Sequence, residues 1–145
     1  MYNSIENYAD VILPLPLEGC FTYLVPEELD GRITPGMRVV VQFGVKKFYS
    51  ALVRRIHNNK PENISAKLIE SVLDEQPILS ENCFLLWEWI AAYYQCSLGE
   101  VLKAALPSGL KLESETRVSL VEDHGTPNLE HLSPKEQMLL EIIRE

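Results

Sequence analysis

The stretch Pro35–His57, PGMRVVVQFGVKKFYSALVRRIH, decides the fold of this 145-residue chain. Its Pro-Gly pair marks a type II turn, because proline presets φ at the first central position and glycine accepts the positive φ at the second. A strand follows, MRVVVQFG, with Val39, Val41 and Phe43 on one face and Arg38, Val40 and Gln42 on the other. Gly44-Val45-Lys46 reads as a hairpin loop into a long strand, Lys47 to His57. There Phe48, Ser50, Leu52, Arg54 and Ile56 alternate with Lys47, Tyr49, Ala51, Val53, Arg55 and His57, so neither face is wholly apolar. That mixture predicts strong twist or a bulge, as in a small closed sheet where one strand serves two parts of a barrel.

Upstream, LPLPLEGCFTYLVP (13–26) alternates leucine and proline, turns at Glu18-Gly19 and opens a run of aromatic and β-branched residues. Val11–Leu15 and Phe21–Val25 read as short strands, the prolines ending the pairing of the first because each removes a ladder donor. Downstream, NNKPENIS (58–65) is a polar loop, and Ala66–Leu73 resumes strand character. Short strands joined by Gly and Pro turns predict a small OB-like antiparallel β-barrel. Ser80 then caps a helix, ENCFLLWEWIAAYY, with Phe84, Trp87, Ala91 and Tyr94 on one stripe and Leu86, Ile90 and Tyr93 beside it. Leu98–Leu106 forms a second short helix, stopped by Pro107 and Gly109, and the hairpin is expected to pack its apolar surface on the barrel.

Beyond Gly109 the character changes. Thr116–Val121 reads as an isolated strand, Asp123–Leu132 as a linker, and Ser133-Pro134-Lys135-Glu136 as the start of a helix whose apolar stripe runs to Glu145. The expected division is residues 1–112 as one domain, barrel plus helices, and 113–145 as a linker and the opening of another, the natural chain continuing beyond it.

Composition excludes several classes. With 46% hydrophobic and 23% charged residues the chain is globular. The run Cys83–Tyr94 is too short for the ~20 residues that cross a bilayer, and no secretory leader pattern opens the chain, so a cytoplasmic, membrane-free protein is expected. Cys20, Cys83 and Cys96 form neither a paired nor a zinc-like pattern. The net charge of -8 argues against nucleic acid, but its distribution does not. Residues 32–67 carry eight basic side chains (Arg32, Arg38, Lys46, Lys47, Arg54, Arg55, Lys60, Lys67) against Glu62, while the remainder holds five basic and twenty acidic residues. A cation-rich segment between acidic flanks directs where a phosphate backbone docks.

No phosphate-binding glycine loop, zinc-protease motif or nucleophile elbow occurs, and no residue set proposes itself as catalytic or metal-binding. Binding chemistry is better supplied. Phe21, Tyr23, Phe43, Phe48 and Tyr49 interleave with the cations, and small barrels combine stacking aromatics with basic side chains on single strands. An alternating Phe21, Tyr23, Val25 is equally the pattern of a core face, and spacing alone leaves both readings open.

Five segments in order carry a resemblance: V-x-L-P-x-P-L at Val11–Leu17, F-x-Y-x-x-P at Phe21–Pro26, P-G-x-R-V-x-V-x-F-G at Pro35–Gly44, V-L-D-x-x-P at Val72–Pro77, and W-x-A-x-Y-Y-x-x-x-L-G-E-V-L-x-x-A-L-P at Trp89–Pro107. Over about residues 8–112 the chain resembles the N-terminal region of the PriA (primosomal protein N′) family of bacterial replication-restart helicases. Ser133-Pro134-Lys135 matches the start of that family's winged-helix module. The resemblance implies a DNA-binding module, non-catalytic by itself, that holds the 3′ end of the nascent leading strand at stalled or branched forks. The implied end pocket is Phe21, Thr22, Gly44 and Lys67, with Tyr23 of the same F-x-Y segment beside them, and from the cation-rich segment Arg38, Lys46, Lys47, Arg54 and Arg55 are expected as phosphate contacts. At position 22 the family often carries aspartate, where this chain has a neutral hydroxyl. ATP, magnesium and zinc belong, on this reading, to a helicase region outside the chain. Implied partners are branched and single-stranded DNA with a 3′ end, the helicase core, other primosome proteins and single-stranded DNA-binding protein. The alternative is a protein-interaction module docking on a helicase core or replication partner.

Overall fold

Five strands, β1 (Tyr8–Ile12), β2 (Phe21–Leu24), β3 (Arg38–Phe43), β4 (Lys47–His57) and β5 (Ile69–Val72), are followed by two helices, α1 (Glu81–Tyr94) and α2 (Leu98–Ala105). The computed structural model describes residues 6–61 and 65–111, with Ser133 and Lys135. The chain divides into two units, residues 1–114 and 115–145. In the second, Lys135 is helical; the expected strand Thr116–Val121, the linker and the rest of the expected helix lie outside the described residues.

The sheet is antiparallel in the order β2-β1-β4-β3-β5. One parallel bridge, Leu24 to Leu68, with the Leu24 N–H donating to the Lys67 carbonyl at 2.8 Å, joins β2 to the approach of β5. This bridge curls the strands into an OB-like half-barrel and sets Phe21–Leu24 beside Lys67.

The mixed faces of β4 have a definite cause. Pairing with β1 runs Asp10 to Arg55 and then Val11 to Val53, leaving Arg54 as the extra residue of a bulge. Ala51, Val53 and, beyond the bulge, Ile56 therefore pack on the barrel interior, with Val11, Val39, Val41 and Ile69. Leu52 points the other way and joins Ile12, Phe84, Trp87, Val101 and Leu102 beneath the helices. Both faces are thus buried at mid-strand, and each fully buried large apolar side chain is worth about 1.5–3 kcal/mol over its exposed state.

β1 lies upstream of the expected Val11–Leu15 and ends at Ile12. Beyond it the Leu15 and Leu17 N–H groups turn back locally, donating to the Leu13 and Leu15 carbonyls at 2.8 Å each. The result is two successive three-residue turns centred on Pro14 and Pro16, whose ring-fixed φ lies close to that of an inverse γ-turn. The same carbonyls of Leu13 and Leu15 press on Gly99 so closely that a Cβ there would collide with both. Ser97 and Glu100 make a reciprocal capping box that starts α2 at this contact. β5 is shorter than expected, Ile69–Val72, and begins with its own register shift against β3.

The helical surface departs from expectation. Phe84 and Trp87 are buried, but Leu85, Leu86, Trp89, Tyr93 and Tyr94 are exposed, Trp89 at 58%. A single stripe meets the sheet, because α2 covers only part of α1 and the remaining aromatic face, with Trp89 stacked on Tyr93, is left outside.

Candidate nucleic-acid interface

β2 places its side chains alternately on two sides of the barrel wall. Tyr23 points inward, is buried, and donates from its hydroxyl to the Gln42 carbonyl at 3.0 Å; burial pushes its phenol pKa up. Phe21, half-buried at the rim, meets Phe43 edge-on with ring centroids 5.0 Å apart. Thr22 faces the opposite way, toward β1, and sits directly across from Asp10.

These residues line a hollow of about 360 Å³ whose wall also includes Gln42, Phe43, Gly44 and Lys67. The residues of the implied end pocket, Phe21, Thr22, Gly44 and Lys67, with Tyr23 beside them, are therefore brought together. Gly44 adopts φ +72, which places its carbonyl where Lys67 Nζ donates to it at 2.6 Å. An ammonium carries three donors, so this bond leaves two for a ligand. No side chain stands at Gly44, and a close backbone approach is open there.

A second hollow of about 640 Å³ adjoins the first, sharing Cys20, Thr22 and Pro61, and is lined by Asp10, Arg54, Arg55, His57 and Lys60 among others. Asp10 is only 5% exposed. Its carboxylate accepts from Thr22 Oγ1 at 2.6 Å and from Arg55 Nε at 2.5 Å, and His57 Nε2 lies 3.2 Å away, out of line for a hydrogen bond. Burial pushes the Asp10 pKa up, but the bonds from Thr22 and Arg55 and the nearby imidazole outweigh it, and the group stays below the ordinary carboxylate range. Asp10 and His57 were not among the residues implied from sequence. A lone carboxylate inside the apolar strand YADVI was the available signal.

The five expected phosphate contacts part company. Arg38 is 13% exposed and bound to Asp74 through Nε and Nη2, with Nη1 on the Leu110 carbonyl at 3.0 Å. Arg54, turned to the helices by the bulge, pairs with Glu81 and Glu88 at 3.0 Å each and lies over the Phe84 ring. Arg55 binds Asp10 through Nε alone and is 71% exposed. Lys46 and Lys47 stand exposed in the hairpin after Gly44. Acids from the flanks thus neutralise part of the cationic segment. Arg32, Lys46, Lys47 and Lys67 have no carboxylate within ion-pair distance among the described residues. Among the described residues no group of three or more His, Cys, Asp or Glu is arranged to hold a metal ion, and no helix is long and apolar enough to cross a membrane.

Comparison with known proteins bears on the family. Residues 10–107 match the family model of the PriA 3′DNA-binding domain. The chain is 30% identical over 140 residues, 92% of its length, to the replication restart protein PriA of Bacillus subtilis, of which it covers 17%. It is 35% identical over 104 residues, 70% of its length, to the PriA of Haemophilus influenzae, and covers 14% of that protein. The match lies on the barrel and both helices, and it includes every residue of the hollow described above. The chain spans about a sixth of the curated relatives it matches, and by the family model it belongs to the PriA 3′DNA-binding domain family.

Proposed function

We propose that this chain is the DNA-binding module of a replication-restart helicase and that its hollow holds the 3′ end of a nascent leading strand at a stalled or branched fork. The observation that carries the reading is the convergence of Phe21, Thr22, Tyr23, Gly44 and Lys67 on one rim-side hollow. Phe21 supplies a ring on which a terminal base stacks, an interaction worth ~1–3 kcal/mol. Lys67 offers its remaining donors to a phosphate or sugar oxygen, and the bare backbone at Gly44 admits the strand. Exposed Lys46, Lys47 and Arg55 supply further phosphate contacts. Arg38 and Arg54, satisfied by carboxylates, hold the fold and are left out of the contact set.

On this reading the chain binds and does not unwind. ATP hydrolysis, and the magnesium and zinc that go with a helicase, belong to the rest of a longer protein working in the bacterial cytoplasm. The exposed Trp89, Tyr93 and Tyr94 favour a second role, docking on that helicase region or on a primosome partner. Titrating labelled forks with and without a 3′ end at the branch tests the proposal. Preference for the fork that carries the end supports it, and equal affinity rejects it.

A further inference from the structure

Residues 44–46 connect β3 to β4 just beyond Phe43 and Lys47, the last residues in register. Short hairpin loops favour glycine, asparagine and aspartate, which accept a positive φ or bond to nearby backbone. Gly44 meets that demand with φ +72, but the next position holds Val45, whose side chain can do neither. Val45 is 85% exposed, the most of any large apolar side chain among the described residues. One exposed valine is ordinary by itself. Two further features set this one apart. The Gly44 and Val45 carbonyls each accept a side-chain bond at 2.6 Å, from Lys67 Nζ and Gln42 Nε2, which ties the tip to the approach to β5 and to β3. Lys46 and Lys47 follow directly, exposed and with no carboxylate within ion-pair distance among the described residues.

We propose that the tip of the β3–β4 hairpin is a second DNA contact, abutting the outermost base pair of the duplex from which a bound 3′ end emerges. Val45 covers the face of that pair, and Lys46 and Lys47 hold the phosphates beside it. The inference rests on the proposed end-binding role of the hollow. Gly44 lines that hollow, and Val45 follows at the Cα spacing of about 3.8 Å, close to the ~3.4 Å between successive nucleotides of a strand. A terminal nucleotide drawn into the hollow leaves its neighbour unstacked, with a bare π-face that an apolar side chain can cover. Charge favours nucleic acid as the occupant. In a chain of net charge -8, acids reach Arg38 and Arg54 but leave the two lysines of the tip without an ion-pair partner.

The test is fluorescence anisotropy on the full chain with one labelled strand, presented alone and annealed to a longer template so that its 3′ end is recessed. Val45→Ser is expected to weaken binding of the recessed end about 3–10-fold, as loss of a partly buried aliphatic contact would, and to leave the lone strand unchanged. Its salt slope should not move, because an apolar contact releases no counterions. Val45→Leu, which keeps the tip apolar, should bind the recessed end as the unmodified chain does. Lys46→Gln combined with Lys47→Gln should flatten the slope on the recessed end by about 1.8, the share of two duplex phosphates.

No loss on the recessed end in Val45→Ser, an equal loss on both DNAs, or an unchanged slope without the two lysines overturns the inference. Each of these results leaves end binding intact where Phe21→Ala and Lys67→Ala still weaken both DNAs. If those two variants change neither, the end-binding reading falls and this inference with it.

Discussion

Lys67 Nζ donates to the Gly44 carbonyl oxygen at 2.6 Å, and this bond ties the approach to β5 to the β3–β4 hairpin at the wall of the hollow. Residues 23 apart in sequence are joined there because the Leu24–Leu68 bridge closes the half-barrel beside them. On the proposed reading, Lys67→Ala removes a charge-assisted contact worth about 1.5–3 kcal/mol and lowers DNA affinity by about tenfold or more. Both partners are exposed, so the thermal midpoint should barely move. A salt titration separates the charge from the loop: with about three single-strand phosphates neutralised, log affinity should fall against log salt at a slope of roughly -2, and Lys67→Ala should flatten it by about 0.7.

Phe21→Ala removes the ring that meets Phe43 edge-on. Binding to a 3′-ended strand is expected to weaken by ~1–3 kcal/mol, the range for loss of one base-stacking aromatic. Measured on a blunt duplex, the same variant should change little.

Arg38→Ala acts on the fold. Its guanidinium holds Asp74 and the Leu110 carbonyl, joining β3 to the segment after β5 and to the end of the helical region. The variant should lower the urea midpoint and leave the ratio of affinities for forks with and without a 3′ end unchanged. The pair also sets a pH response. Arg38 holds the Asp74 carboxyl below its ordinary 3.8, and Asp10 is likewise lowered. A carboxylate with a depressed folded-state pKa contributes stability that is present above the unfolded value and lost as pH falls through the folded one. Stability should therefore be flat near neutrality and decline below about pH 4. Asp74→Asn should make that acid-side decline shallower in urea titrations across pH.

Gly99→Ala gives a prediction whose sign runs against helix propensity. Alanine favours a helix over glycine by about 1 kcal/mol. The Leu13 and Leu15 carbonyls occupy the space a Cβ needs, and backbone cannot yield as a flexible side chain would. Net destabilisation is expected, and thermal unfolding would show it as a lowered midpoint. A raised midpoint would show that the two proline-centred turns do not bear on α2.

Much of the architecture was legible because its signals are local. Pro35-Gly36 announces β3, Gly44 the hairpin, and the mixed pattern of Lys47–His57 its bulge. The ends of β1 were misplaced because VILPL looks like a strand to any reading of apolar alternation, whereas Pro14 and Pro16 convert its second half into turns. Exposure of Trp89, Tyr93 and Tyr94 was hidden for the opposite reason: apolar content shows what a helix can bury, and how far α2 covers it is a tertiary matter. At the hollow, Phe21, Thr22, Tyr23, Gly44 and Lys67 were accessible through family resemblance, since they come from three separated segments. Asp10 was not, because its importance depends on the β1–β2 register that sets it opposite Thr22. The fate of Arg38 and Arg54 was equally illegible, for a sum of charges does not reveal which cation a flanking carboxylate reaches.

The most direct measurement is a competition titration in which one branched DNA, identical in sequence, carries either a 3′-hydroxyl or a 3′-phosphate at the end facing the branch. End recognition in the hollow is expected to favour the 3′-hydroxyl form by about tenfold, and Phe21→Ala should erase the preference. Equal affinity for the two ends, unaltered by Phe21→Ala, would contradict it.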